Sequence, residues 1–408
     1  MEFPPDPLKL SKWLKILAAG GWITWLFASK SIALAATTNK QVSLFVDQNS
    51  VSTTNRSSQG LIAGANNFNP DLKLPPTPEN LPKPILTPPP AKIEPPPSSS
   101  PSSSSEQKSP EPNTSPTPSA NSGLFLTIDL LQPDIHTDWN NSGQVNRTIE
   151  ETASFRLNNG DRLNVKLGYD TYEQPGAKTV TNIPFQLSWE TKINSLKVQP
   201  GVGIDLLDGS TIPNFNLKVD YPLATGFTLS GDIQQGAYKF NAKTIANQVS
   251  AVRYGPTIFW ALDANTTIFS SWHFGDYSDG NTETQSFSRI ERKVGEFSIA
   301  GNLFTWGYKK PTDLGYFAPS DFTVSTIEVG WEGTIADFLK CKIAVPFGSQ
   351  TVNGSTSNAG GYQTKCTAKL SPTVEADLGY SFSNVKNQTT DVTTANSQSI
   401  GTQIRIKF

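Results

Sequence analysis

Cys341 and Cys366 are the only cysteines in the chain, and His136 and His273 the only histidines. These four residues are where sulfur or imidazole chemistry would reside. The two cysteines fall on adjacent predicted strands joined by a turn centred near residue 353. Opposed residues of an antiparallel pair share a constant index sum, which sets 341 against 366 on the apolar face of both strands. In an oxidising compartment that placement offers a cross-strand disulfide; the alternative is two small buried apolar side chains. With no further cysteine, neither a metal centre nor a cofactor is expected. His136 is read in the first predicted loop and His273 near the outer end of the ninth predicted strand. Ser271 shares a face with His273, but a hydrolytic relay also needs an orienting partner in reach. No such third member stands out, so the sequence reads as non-enzymatic.

The elements that would carry these residues are strands. Sixteen period-2 segments are predicted from Gly123 onward, at 123–131, 147–157, 161–170, 181–191, 194–205, 213–221, 225–233, 247–260, 265–274, 283–291, 295–307, 322–332, 335–346, 360–370, 373–383 and 398–408. In one of them Ile183, Phe185, Leu187 and Trp189 alternate with Asn182, Gln186, Ser188 and Glu190. The last segment puts Ile400, Ile404, Ile406 and Phe408 on one face, and Gly401, Gln403, Arg405 and Lys407 on the other. An apolar face beside a charged face suits a strand between lipid and a wet lumen. Short turns, such as Asn158-Asn159-Gly160, alternate along the chain with longer connections at 132–146, 171–180, 206–212, 234–246, 275–282, 308–321, 347–359 and 384–397. Membrane barrels sort their connections in this way, with both termini at the short-turn end. The expected fold is therefore all-β: a transmembrane antiparallel β-barrel of sixteen strands, with fourteen as the alternative count.

Composition narrows the remaining classes. Mean hydropathy is −0.35, and no long apolar run follows residue 36, which excludes a bundle of membrane helices. A formal net charge of −2 argues against nucleic-acid binding. Residues 1–35 read as a signal peptide: Lys9, Lys12 and Lys15, then an apolar stretch from Ile16 to Ala28, then Ala33-Leu34-Ala35 before a cleavage point. Residues 36–73 are polar and expected to be mostly disordered. Residues 74–122 form a Pro/Ser-rich linker that cannot build a core. It serves as a periplasmic leader or as a contact to the cell wall, and the barrel domain spans 123–408. The expected location is the outer membrane, with its lipid as a partner.

Alternation also assigns a lumen face. Lys340, Lys342, Lys365, Lys369, Arg405 and Lys407 fall on it, with Glu375 and Asp377 between them. Charges that wet a pore wall and charges that merely avoid lipid look alike at this level, so selectivity stays open.

Two stretches carry a resemblance. Trp272-His273-Phe274 is followed by Tyr277-Ser278-Asp279-Gly280-Asn281, and later comes Gly315-Tyr316-Phe317-Ala318-Pro319-Ser320-Asp321-Phe322. In this order and spacing the chain resembles, over about 225–347, the C-terminal outer-membrane barrel of the cellulose synthase C component and the related poly-N-acetylglucosamine export porin. The resemblance implies a sixteen-stranded barrel through which a growing polysaccharide leaves the cell. The ending from Ile400 to Phe408 resembles the C-terminal strand of outer-membrane β-barrels in general, which implies that the terminal aromatic, Phe408, is read by the barrel-insertion machinery. Asp276, Tyr277, Asp279, Tyr316 and Phe317 are then substrate-path candidates: aromatic faces stack on sugar rings while the carboxylates accept hydroxyl hydrogen bonds. Tyr316 and Phe317 have a plainer reading as loop packing. The chain departs from the family before the barrel, where a Pro/Ser tract replaces a long helical repeat. A diffusion porin for small solutes, or a structural or adhesive envelope barrel held to the cell wall, are the alternatives.

Overall fold

The computed structural model describes residues 126–386 and 396–408. The expectations for 1–35, 36–73 and 74–122 lie outside the described residues. Sixteen strands follow one another: β1 (Thr127–Asn140), β2 (Val145–Arg156), β3 (Arg162–Glu173), β4 (Val180–Ile193), β5 (Leu196–Leu207), β6 (Ser210–Ala224), β7 (Phe227–Ala237), β8 (Ser250–Ala261), β9 (Thr266–Tyr277), β10 (Thr282–Val294), β11 (Phe297–Tyr308), β12 (Phe322–Ala336), β13 (Leu339–Val352), β14 (Ser355–Lys369), β15 (Val374–Ser383) and β16 (Ser397–Lys407). Each pairs antiparallel with its sequence neighbours. β16 returns to β1, with Ile135 opposite Thr402 and Asn140 opposite Ser397, so the sheet closes. Closure satisfies the main-chain donors and acceptors that an open edge would expose, as hydrocarbon demands. One short helix, α1 (Ala242–Ala246), sits in the connection between β7 and β8.

All sixteen expected segments appear as strands, and most of them are longer than the alternation showed. Four connections expected to be long are tight turns: 141–144 after β1, 208–209 after β5, 278–281 after β9 and 353–354 after β13. At the last, Asn353 (φ 47°) and Gly354 (φ 82°) supply the left-handed pair of a two-residue hairpin. The reason is physical. From Gly348 to Asn358 the strands are rich in Ser, Thr, Gly and Asn on both faces, yet Gly348 to Val352 still pair with residues from Ala359 back to Ser355. Where water wets both faces, pairing continues after alternation has stopped. His136 likewise lies within β1, not in a loop.

Directly opposed residues share a face, so the ladders sort the wall. Leu167 (53% exposed) opposes Phe185, Leu187 opposes Val202 (57%), and Phe297 (60%) opposes Trp331. These belong to the exposed apolar side chains of the outer wall. The intervening positions, such as Asn182, Ser188, Asp205, Asn216, Glu328 and Asp377, face inward and are buried. Phe408 ends the chain on the outer side, in line with Ile404 and Ile406, and its amide donates to the Asp129 carbonyl at 3.3 Å.

Candidate pore mouth and lumen

At the loop end of the barrel the inner wall changes character. Phe304, Trp306 and Tyr308 occupy the inward positions of β11, where most other strands carry polar residues. They are buried, together with Tyr277, Phe322 and Val324. What buries them is loop. The connection 238–249 contributes Tyr238, Phe240 and Val249, and the connection 309–321 contributes Tyr316 and Phe317. Tyr316 stacks on Tyr277 (centroids 5.3 Å apart, planes at 15°), and Phe317 lies 5.6 Å from Trp306.

Polar contacts fix this aromatic cluster. Glu283 accepts from Arg253 Nε at 2.9 Å and Nη2 at 3.2 Å, from the Tyr277 hydroxyl at 2.8 Å and from Trp306 Nε1 at 2.5 Å. The Tyr316 hydroxyl donates to Asp279 Oδ2 at 2.7 Å and accepts from Asn281 Nδ2 at 3.1 Å. Burial pushes the Tyr238 hydroxyl up to about 12. Burial, reinforced by the Asp279 carboxylate, raises that of Tyr316. Both therefore remain neutral at ordinary pH.

The two loops also hold each other. Asn241 caps α1, its Oδ1 accepting from the Thr244 amide at 2.9 Å, while its Nδ2 donates to the Gly315 carbonyl at 2.7 Å. Gly315 has a φ of +108°, and a Cβ there would lie 2.8 Å from both Lys243 Cβ and the Thr244 nitrogen. Only glycine lets the second loop rest on α1 in this way. Gln144 Nε2, in the turn after β1, donates to the Phe240 carbonyl at 3.2 Å. The loop after β7 thus reaches the turn after β1, which requires it to extend across the opening.

Of the path candidates, Tyr277, Asp279, Tyr316 and Phe317 come together at this mouth. Asp276 does not. β9 continues through Tyr277, and Asp276 shares the outer side of the strand with Trp272 and Phe274. The rings of Tyr277 and Tyr316 pack on each other and on Tyr238 and Tyr308, while Phe317 packs on Trp306 and Phe322. Asp279 is engaged in fixing Tyr316. Sequence reading missed Tyr238, Trp306, Tyr308, Arg253 and Glu283. One signal was available: Leu303, Phe304, Trp306 and Tyr308 put apolar or aromatic side chains on both faces of β11, which a wet inner wall does not explain.

At the turn end, the six expected basic residues line the inner wall among acids. Lys365 lies 3.1 Å from Asp377, Arg405 3.1 Å from Glu375 and 3.2 Å from Asp377, and Lys407 3.4 Å from Glu375. Lys340 pairs with Glu332, Lys342 stands opposite Glu332, and Lys369 stands opposite Glu375. Arg162 with Asp129 (3.1 Å), Lys197 with Glu190 (2.9 Å) and Lys293 with Glu332 (3.5 Å) continue the belt. The arrangement is a ring of ion pairs and not a basic track.

A second inward cluster lies on β3 to β6 below α1. Asp170 and Asp205 flank Asn182, whose Nδ2 donates to Asp170 Oδ2 at 2.8 Å and to Asp205 Oδ1 at 3.2 Å. Lys239, from the loop after β7, reaches Asp205 Oδ1 at 2.5 Å and Asp170 Oδ2 at 3.9 Å. Burial opposes the Lys239 charge, but the two carboxylates outweigh it and hold its pKa above the ordinary lysine value.

Cys341 and Cys366 oppose each other as the index sum required. Their Sγ atoms lie 3.1 Å apart, a separation longer than the ~2.05 Å of a formed disulfide bond. His136 Nε2 lies 2.7 Å from Asp138 Oδ1 and 3.1 Å from Ser399 Oγ. One nitrogen faces both groups, whereas a relay needs them on different nitrogens.

No protein-family model matches the chain, and no curated protein sequence matches it. Among solved structures, a bacterial polysaccharide outer membrane secretin superposes with a TM-score of 0.60 at 11% identity, covering 69% of this chain and 99% of that one. An anion-selective porin from Comamonas acidovorans gives a TM-score of 0.40 at 10% identity, covering 70% of this chain and all of that one. At 11% identity the likeness to the secretin is one of fold, in keeping with the closed sixteen-strand barrel of this chain.

Proposed function

We propose that the protein is an outer-membrane pore through which a secreted polysaccharide leaves the cell, passively and driven by synthesis elsewhere. The carrying observation is the closed barrel, with apolar side chains exposed outside and polar side chains inside. Hydrocarbon accepts such a wall and water fills such a lumen. In this placement the turn end and both termini face the periplasm, and the leader lies there. The loop after β7 and its neighbour after β11 face outward. The secretin of similar fold supports a polysaccharide as cargo, as do the mouth aromatics, which become a stacking track once the two loops separate.

A diffusion pore for small solutes is the second reading. One observation favours it: the mouth rings are packed on each other and present no free face in this arrangement.

Planar-bilayer recording separates the two. The expected result is a current through the opened barrel that a soluble oligosaccharide blocks. Tyr316→Ala should weaken that block about fivefold, as loss of one ring contact of about 1 kcal/mol implies. A current with no oligosaccharide block leaves the diffusion pore, and no current under any voltage rejects both.

A further inference from the structure

We propose that Phe259, Phe269 and Phe287, with Asp232 beside them, form a binding station for a neutral sugar ring on the inner wall below the mouth. The inference rests on the polysaccharide reading and deepens it: it names where the wall takes hold and for which class of polymer. Phe259 opposes Phe269, Phe269 opposes the inward Arg289, and Phe287 opposes the inward Phe304. The three rings therefore face the lumen. Each is partly exposed, whereas the mouth rings are buried against one another. Apolar surface left open to water within a polar wall marks a place that a ligand covers.

The rings form a path. β9 runs from the turn end at Thr266 to the mouth at Tyr277, and β10 returns. Phe269 thus lies low on the wall and Phe287 near mid-height. Their centroids are 5.9 Å apart, a step comparable to one residue of an extended sugar chain. Phe287 in turn packs on the mouth cluster that holds Phe304 and Trp306. A pyranose offers C–H groups on its faces, which suit aromatic rings, and hydroxyls around its rim, which need polar partners.

Those partners stand on the mouth side of the rings. The inward order along β9 is Phe269, Ser271, His273. His273 Nε2 lies 3.4 Å from Asp232 Oδ1 on β7. Neither His273 Nε2 nor Asp232 Oδ2 has a hydrogen-bond partner, although His273 is 5% exposed and the Asp232 side chain 10%. Unsatisfied polar atoms at such depth are costly. A sugar hydroxyl both donates and accepts, so it suits a carboxylate beside an imidazole. Opposite Asp232, β8 supplies Gly255, where a Cβ would stand 1.8 Å from the Trp272 carbonyl oxygen. No side chain from that position covers the pair. The Asp232 charge repels a uronic-acid polymer, which leaves a neutral one as the fitting cargo.

The test uses the full chain in micelles of a detergent without a sugar headgroup. Glucose hexamers, one β-1,4-linked and one α-1,4-linked, and a uronic-acid hexamer are titrated by calorimetry. While the mouth is packed, the wall rings are the ones within reach. A glucose hexamer should therefore bind and the uronic-acid hexamer should not. Phe269→Leu keeps an apolar side chain but removes the ring face, and should weaken binding about fivefold. Phe259→Leu takes its place if that variant fails to fold as a heat-modifiable barrel. Asp232→Asn should weaken the glucose hexamer and admit the uronic-acid one. Three results overturn the proposal: no glucose hexamer bound by the unaltered chain, binding that the folded leucine variant leaves unchanged, or a uronic-acid hexamer bound as tightly as glucose. The first two leave the polysaccharide reading standing, because that reading falls only when the opened barrel in a bilayer shows no oligosaccharide block.

Discussion

Glu283 shows how much a single inward side chain can organise. It gathers Arg253, Tyr277 and Trp306 at a depth where its own exposure is 3%. Glu283→Gln leaves the Arg253 guanidinium buried without its counter-charge, which costs about 3–5 kcal/mol. Thermal unfolding in detergent should therefore shift clearly downward, and an unchanged transition would deny Glu283 this role. On the outer wall Glu151 is the reverse case. It opposes Leu167 and Pro133 in the ladders, at the level of Phe185, where neighbouring side chains are apolar. Glu151→Leu should raise the temperature at which the barrel unfolds, because a carboxyl group there resists the hydrocarbon. Cys341 and Cys366 stand opposite each other with their Sγ atoms 3.1 Å apart. Exposure to an oxidant should join them, and non-reducing mass mapping should find the 341 and 366 peptides linked. Free thiols on both after oxidation would reject that chemistry.

At the scale of elements, alternation recorded hydrocarbon and not strand. Strands β4 and β15 were legible because apolar and polar residues exchange at every step. The upper parts of β13 and β14 were not, because Ser349, Thr351, Thr356 and Asn358 meet water whichever way they point. The same blindness misplaced Asp276, which belongs to the extension of β9. The two inward-folded loops were partly legible. The Gly315–Phe322 run marked one of them, but nothing local announced that it rests on α1. That contact joins residues far apart in sequence through a short helix with no amphipathic pattern. Gly315→Ala tests the contact directly. A methyl group 2.8 Å from the α1 backbone, on a residue held at positive φ, should push the loops apart. The expected outcome is a higher open-channel frequency in bilayer recordings, with the barrel's circular-dichroism spectrum retained.

The whole molecule combines a rigid wall with a packed mouth. Each strand interior is fixed by two ladders, whereas the mouth is held by ring contacts and a few hydrogen bonds, which favours change there over change in the wall. The charge belt at the other end is different again. Its pairs neutralise one another locally, so it is better suited to wetting the wall than to choosing between anions and cations. Selectivity in bilayer recordings should accordingly be weak once the mouth is open.

Fifteen of the sixteen ladders join strands that the backbone also links through a turn or loop. The sixteenth, between β1 and β16, has no such covalent hinge. Its register skips Gln132 and Pro133, and Pro133 has no amide hydrogen to give. The cylinder therefore carries one zip fastener, with its slackest teeth partway along. If this wall ever parts sideways, whether during assembly or to admit something from the bilayer, the split will run down that line.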